Sequence, residues 1–233
     1  MLLIQEYLHS LVQLYYPHVC NGCGSDLLSK DQLLCMHCRR SLPHTHFAFF
    51  PDNFIEKIFH GRMAVEAAHS EFFFSKGKML QHLIHQLKYN ANTAIGQYLG
   101  NIMGHTLKQS NRFAGIQGLV AMPLYADKEK LRGYNQAEVI CDGISDATGI
   151  AVIRKNIVRL RATETQTRKH RAERWQNVSG SFAVSDPEAI KGKHLLLVDD
   201  VITTGASIEA CGHAILQVPG TLLSIAALAH ASK

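Results

Sequence analysis

Apolar positions along this chain follow two rhythms. Short, mainly apolar runs at 118–122, near 150–153, at 195–199 and at 222–228 read as strands of a parallel sheet, and the branched aliphatics Leu195–Val198, with no polar alternation, read as buried on both faces. Residues 67–74 add a further strand. Between these runs the period changes to that of a helix, over 79–89, over 93–108, from Asn135 to Thr148, and through Ile208, Cys211 and Ile215. Strands alternating with helices predict an α/β fold, a parallel sheet with helices on both faces. Near the start, Leu3, Tyr7, Leu8, Leu11, Val12 and Tyr15 share one face of an amphipathic helix that Pro17 ends. Its polar face lacks the Lys and Arg of a membrane binder, so it is expected to pack on its own protein. Gly96, Gly100 and Gly104 recur every four residues, a spacing that marks dimerisation in a membrane. In this chain it is expected to lay one helix face close against the sheet. Residues 39–70, with Arg39, Arg40 and scattered phenylalanines, are expected to form a linker and then irregular packing.

The run at 195–199 leads into the chain's most informative stretch, Leu195-Leu196-Leu197-Val198-Asp199-Asp200-Val201-Ile202-Thr203-Thr204-Gly205-Ala206-Ser207. Two carboxylates are expected to end the strand, and a hydroxyl-rich turn then opens a helix. A strand, a loop and a helix N-terminus in that order form an anion site, to which Thr203, Thr204 and Ser207 add donors. Gly205 lets the backbone approach a bulky phosphate. Carboxylates repel phosphate, so Asp199 and Asp200 are expected to serve sugar hydroxyls or a magnesium ion. A phosphate cradle with two acids beside it suggests a ribose 5-phosphate.

Six cysteines include Cys20-Asn21-Gly22-Cys23 and Cys35-Met36-His37-Cys38. Two tight turns, each aiming two thiolates at one centre, suit a tetrahedral structural zinc site; a redox dithiol is the weaker reading. Four thiolates leave no open coordination position for zinc chemistry. Cys141 and Cys211 fall on apolar helical positions and are expected in the core. The predicted organisation is a helix and four-cysteine module over residues 1–45, followed by the α/β domain over 46–233.

Two basic regions follow. The strand at 118–122 closes on Pro123 and Leu124, then Lys128, Lys130 and Arg132 precede a helix capped by Asn135 with Glu138 three residues on, a capping box. This is a second candidate anion site, with a solvated basic turn as its alternative. Between 154 and 174 lie Arg154, Lys155, Arg159, Arg161, Arg168, Lys169, Arg171 and Arg174 against Glu164 and Glu173, with the only tryptophan, Trp175, adjacent. Three readings stand: a loop closing over pyrophosphate, a strip tracking single-stranded nucleic acid with Trp175 as a stacking platform, or a solvated charge run.

The stretch from Leu195 to Ser207 resembles the signature of the type I phosphoribosyltransferases. The resemblance implies that residues 203–207 hold the 5-phosphate of phosphoribosyl pyrophosphate (PRPP) while Asp199 and Asp200 touch the ribose hydroxyls. It also implies a pyrophosphate loop formed by Pro123, Leu124 and Arg132. The paired cysteines, Leu87-Lys88-Tyr89, Met122-Pro123-Leu124 through Arg132-Gly133-Tyr134-Asn135-Gln136, and Thr163, Gln166, Arg174, Asn177 and Phe182 occur in the order of the ComF (competence protein F) family. That family joins an N-terminal zinc module to a phosphoribosyltransferase domain and is linked to natural transformation and use of external DNA. Lys88, within a family motif, is then expected at the PRPP pocket. Lys169 stands where the family often has an apolar residue, and Ser207 replaces the commoner threonine. In 6-oxopurine salvage enzymes the position matching Thr203 is an aspartate that handles the acceptor's proton; threonine argues against hypoxanthine and guanine. Two functions remain: transfer of ribose 5-phosphate from magnesium PRPP, or a non-catalytic uptake module that senses PRPP or a nucleotide. In the second, Arg168, Lys169, Arg171, Arg174 and Trp175 bind single-stranded DNA. Proteins of DNA uptake or recombination are the expected partners.

Composition changes this picture little. A length of 233 residues with 46% hydrophobic content suits one domain plus something small. A net charge of +5 suits phosphorylated ligands or nucleic acid. Met1-Leu2-Leu3-Ile4 gives way at once to Gln5 and Glu6, with no signal-peptide pattern. No apolar run approaches the roughly 20 residues that span a bilayer. The expectation is a cytoplasmic protein with reduced cysteines and no membrane insertion.

Overall fold

The computed structural model describes residues 18–26, 28, 32–160 and 180–231. Its axis is the strand predicted at 195–199, β5 (His194–Ile202), which pairs in parallel with β6 (Leu222–His230) on one side and β2 (Gly118–Ala121) on the other. Beyond β6 lies β1 (Ala68–Phe73), giving the order β1-β6-β5-β2. The segment near 150–153 forms one parallel bridge, Leu119 to Val152, beside β2, not a full strand. The chain turns away at Lys155, which adopts a left-handed φ of 57°. A separate antiparallel pair, β3 (Ile157–Arg159) and β4 (Phe182–Val184), brackets residues 161–179. Its three-residue strands are too short to show a period.

Alternation along β5 divides the core in two. Leu196 and Val198 pack with α3 (Met79–Tyr89), α4 (Thr93–Gln109) and α6 (Gln136–Thr148). Leu195 and Leu197 pack with α2 (Phe54–Phe59) and α7 (Ala206–Leu216). Helices therefore cover both faces, and each polar-free strand residue has an apolar partner. The segment 39–70 is more regular than its sequence suggests. Besides α2 it holds the end of α1 (Met36–Arg40) and a 3-10 turn, Phe47–Phe49. Asn53 caps α2 by accepting from the N–H groups of Ile55 (2.9 Å) and Glu56 (3.2 Å).

The glycine face of α4 meets α6, not the sheet. A Cβ on Gly100 would stand 2.3 Å from the carbonyl oxygen of Ile140, and one on Gly143 would stand 2.0 Å from that of Gln97. Absent side chains let the two backbones touch, while Ile95, Leu99, Met103 and Leu107 of α4 fill the core. Cys141 and Cys211 are fully buried, as predicted. The predicted helix at 2–16 lies outside the described residues. Among the described residues no helix is long and apolar enough to cross a membrane.

The cysteine module is not an appendage. Cys20, Leu34, Cys38 and Leu42 belong to the same buried cluster as Leu80, Leu83 and Leu87 of α3. Asn21 is tied to the helical layer, its carbonyl accepting from Gln86 (3.1 Å) and its side chain from Asn92 (3.0 Å).

Candidate functional site

The N–H of Met122 donates to the carbonyl of Val198 (2.8 Å), just past the end of β2. β5 continues against β6 to Ile202. Asp199 and Asp200 therefore lie within the strand, not at its end, because β6 extends the ladder past them. On the other side β2 has already ended at Ala121, so both acids lie past its last pairing, at the carboxyl end of the sheet where ligands of open α/β folds bind.

Lys88 reaches these acids from the end of α3, its Nζ 2.8 Å from Oδ2 of Asp200. The Tyr134 hydroxyl donates to the carbonyl of Leu87 and fixes that helix end. Asp199 accepts from the N–H of Asp200 (2.8 Å). Burial and the neighbouring Asp200 charge push Asp199 up to about 7, against the opposing pull of Lys88 and Arg159. A cation placed between the two carboxylates would relieve that repulsion, and carboxylate oxygens are the donors magnesium takes. Arg159 had figured only as part of a basic run. It is half-buried, its guanidinium 5.3 Å from the centre of the Phe182 ring and within the field of Asp199.

Residues 203–205 form a bend, and α7 begins at Ala206. Thr203, Thr204, Ala206 and Ser207 are exposed. Gly205 is the N-cap, with φ 74° and no side chain to cap the first N–H groups of α7, which leaves that end suited to an anion. Gly205 has a second duty. A Cβ there would meet Ile58 at 2.8 Å and Phe59 at 2.9 Å, so the glycine also seats the loop on α2. Arg62, in the turn after α2, donates to the carbonyls of Ile58 (2.9 Å) and Thr204 (3.1 Å) and pairs with Glu209.

The basic loop predicted after β2 is partly a helix, α5 (Ala126–Arg132), with Lys128 and Lys130 exposed. Pro123 is buried and Leu124 half-buried at its start. Arg132 donates to Gln136 (2.6 Å) and lies 5.3 Å from the centre of the Tyr89 ring, beside the end of α3 that carries Lys88. Asn135 caps α6 by accepting from Ala137 N–H (2.9 Å). Glu138 lies 3.8 Å from Arg154, which also pairs with Asp142. Arg168, Lys169, Arg171, Arg174 and Trp175 lie outside the described residues.

The Sγ atoms of Cys20, Cys23, Cys35 and Cys38 all fall within 4.8 Å of one another, a group that could hold a metal ion. Burial raises the Cys20 pKa, yet the backbone N–H groups of Cys35, Cys23 and Gly22 outweigh it and bring the thiol down to about 6. Burial and the adjacent sulfurs push Cys38 up. Gly22 is needed for close approach, since a Cβ there would lie 2.8 Å from the sulfur of Cys38.

Sequence reasoning missed Arg62, Glu209, Arg159 and Tyr134 as individuals. Arg62 and Thr204 are 142 residues apart, and no local pattern connects them. Tyr134 stood within the family motif, the one signal for any of the four.

A family model described as the phosphoribosyl transferase domain matches residues 132–232. The chain is 30% identical to a "DNA utilization protein YhgH" of Salmonella typhimurium over 59% of this chain and 61% of that protein, so this match spans about three fifths of the relative's length. It is 27% identical to the protein of that name in Escherichia coli (strain K12), over 85% of this chain and 84% of the other. Against "Competence protein F" of Haemophilus influenzae it is 26% identical, over 83% of this chain and 76% of the other.

Proposed function

We propose that this chain, which belongs to the ComF family, binds magnesium PRPP at the carboxyl end of β5, past the end of β2. The observation that carries this reading is the placement of Asp199 and Asp200 beside an exposed hydroxyl loop at the start of α7. Residues 203–207 hold the 5-phosphate on backbone N–H groups and hydroxyls. Asp199 and Asp200 serve the ribose hydroxyls and the magnesium ion. Lys88, with Arg132 and the Pro123-Leu124 turn, faces the pyrophosphate. Magnesium supplies charge neutralisation of the leaving group. Loss of pyrophosphate from the ribose C1 leaves an oxocarbenium-like centre, to which an acceptor base bonds in the transfer reading.

A second reading is binding without transfer: Thr203 is an exposed hydroxyl where 6-oxopurine salvage enzymes carry an aspartate, which argues against hypoxanthine and guanine as acceptors and leaves no general base identified. In it the pocket senses PRPP or a nucleotide, in a protein that handles incoming single-stranded DNA through Arg168, Lys169, Arg171, Arg174 and Trp175. The names of the relatives support a role in DNA use. The cysteine cluster holds one structural zinc ion in either case.

Calorimetric titration with magnesium and PRPP, followed by a pyrophosphate-release assay across nucleobases, tests both readings. Turnover with any base establishes transfer. Binding without turnover establishes sensing. No binding contradicts both. Single-stranded DNA affinity should fall with log salt by about 0.7 per phosphate contacted. Binding that survives neutralisation of the four basic residues would place the DNA surface elsewhere.

A further inference from the structure

The three hydrogen bonds made by the Arg62 guanidinium lead us to propose that it is a positioning residue, one that aims the backbone of the phosphate loop at its anion. This rests on residues 203–207 being an anion loop, and it names what orients them.

Each arm of the fork has a distinct task. Nη1 donates to the carbonyl of Ile58 (2.9 Å), one of the last carbonyls of α2, which have no acceptor role within so short a helix. The same nitrogen donates to the carbonyl of Thr204 (3.1 Å). Because the peptide bond is planar and trans, the carbonyl of Thr204 and the N–H of Gly205 point in opposite directions. Holding that carbonyl toward α2 turns the Gly205 N–H away from α2, to the side where Thr203, Thr204 and Ser207 are exposed. Nη2 pairs with Glu209, in the first turn of α7. A carboxylate there suits the helix dipole but opposes an incoming phosphate. Pairing with Arg62 removes that opposition.

The loop is seated by apolar contact as well. Its N-cap, Gly205, offers no capping side chain. It rests on Ile58 and Phe59 at distances that only a glycine permits. Apolar seating fixes where the loop lies, but a smooth contact does not fix the rotation of the Thr204–Gly205 peptide. The directional bond from Arg62 does. Lysine cannot replace it, since a single ammonium cannot bridge two carbonyls and a carboxylate in fixed geometry.

The test uses the full chain, inorganic phosphate as probe, and the backbone amide resonances of Gly205 and Ala206. In the wild-type protein both amides shift on phosphate addition. R62M weakens phosphate binding by about tenfold or more, the loss expected of a charge-assisted bond. R62K retains the charge and the fold and shows the same loss. R62M/E209Q separates aim from charge, because it removes one positive and one negative group together. If Arg62 orients the peptide, the double variant stays within about threefold of R62M. Recovery to wild-type affinity would mean that only charge balance matters, and would overturn the proposal. So would R62K binding phosphate as well as the wild type. Phosphate binding at these amides without any binding of magnesium PRPP would contradict the proposed function while leaving the Arg62 result standing. Amides that ignore phosphate in the wild type would overturn both.

Discussion

Lys88 Nζ lies 2.8 Å from Oδ2 of Asp200, with 23% of the lysine side chain and 14% of the aspartate's exposed. This pair joins the end of α3 to the strand that carries both acids. It also explains how two adjacent carboxylates are tolerated in the folded chain: a lysine neutralises one, and burial with the neighbouring charge raises the pKa of the other. Replacing Lys88 with methionine leaves Asp200 without its partner. The expected loss of stability is about 1–3 kcal/mol, less than for a fully buried pair because water reaches both groups. Binding of magnesium PRPP should weaken as well. Chemical denaturation of K88M beside the wild type checks the first effect, and calorimetry checks the second. Unchanged values in both would remove Lys88 from the site.

A second charged cluster makes stability depend on pH in acid. Glu71 is 1% exposed and accepts from His44 (2.7 Å), His69 (2.9 Å) and Thr106 (3.1 Å). Burial alone would raise its pKa, but the bonds and charges of His44 and His69 outweigh this and hold it at about 2, from an ordinary 4.5. A depressed carboxylate pKa contributes stability that is present above the unfolded value and lost as pH falls through the folded one. The window is therefore roughly pH 4.5 down to 2. The shift corresponds to about 3 kcal/mol. The difference in unfolding free energy between wild type and E71Q should be near that figure at pH 6 and shrink toward zero by pH 2. A difference independent of pH would mean that Glu71 acts through packing alone.

The cysteine cluster should carry one zinc ion per chain in protein purified without added metal. Because Cys20 and Cys38 share a core with Leu83 and Leu87, removing the metal should lower the thermal midpoint of the whole chain, not only free four thiols. Metal analysis and calorimetric melting with and without a chelator test this. A stoichiometry near zero, with every thiol titratable, would contradict it.

Gly100 offers a test of the helix contact. On an exposed helix, glycine to alanine gains about 1 kcal/mol. Here the added Cβ would lie 2.3 Å from the backbone oxygen of Ile140, which cannot rotate aside. G100A should instead cost about 1–3 kcal/mol. A stabilised variant would show that α4 and α6 do not pack this closely.

What could be read in advance follows from how far each signal extends along the chain. Long apolar runs announced β5 and β6, and an unbroken helical period announced α3 with its observed ends. Asp199 and Asp200 interrupted the apolar run and hid the last residues of β5, although Val201 and Ile202 continue it. The glycine spacing at 96, 100 and 104 showed a close contact but not its partner, because a sheet and a helix both demand small residues. The acids, the hydroxyl loop and the paired cysteines were legible because their members are neighbours in sequence. Arg62 and Arg159 were not, since each meets its partners only after folding brings distant segments together.

One titration bears most directly on the site, magnesium PRPP into the wild-type chain and into D199A/D200A with its fold checked by circular dichroism. The predicted result is magnesium-dependent binding by the wild type and none detectable by the variant. Affinity that stays within about threefold, a change under roughly 0.7 kcal/mol, would contradict the assignment of Asp199 and Asp200 to the sugar and its metal.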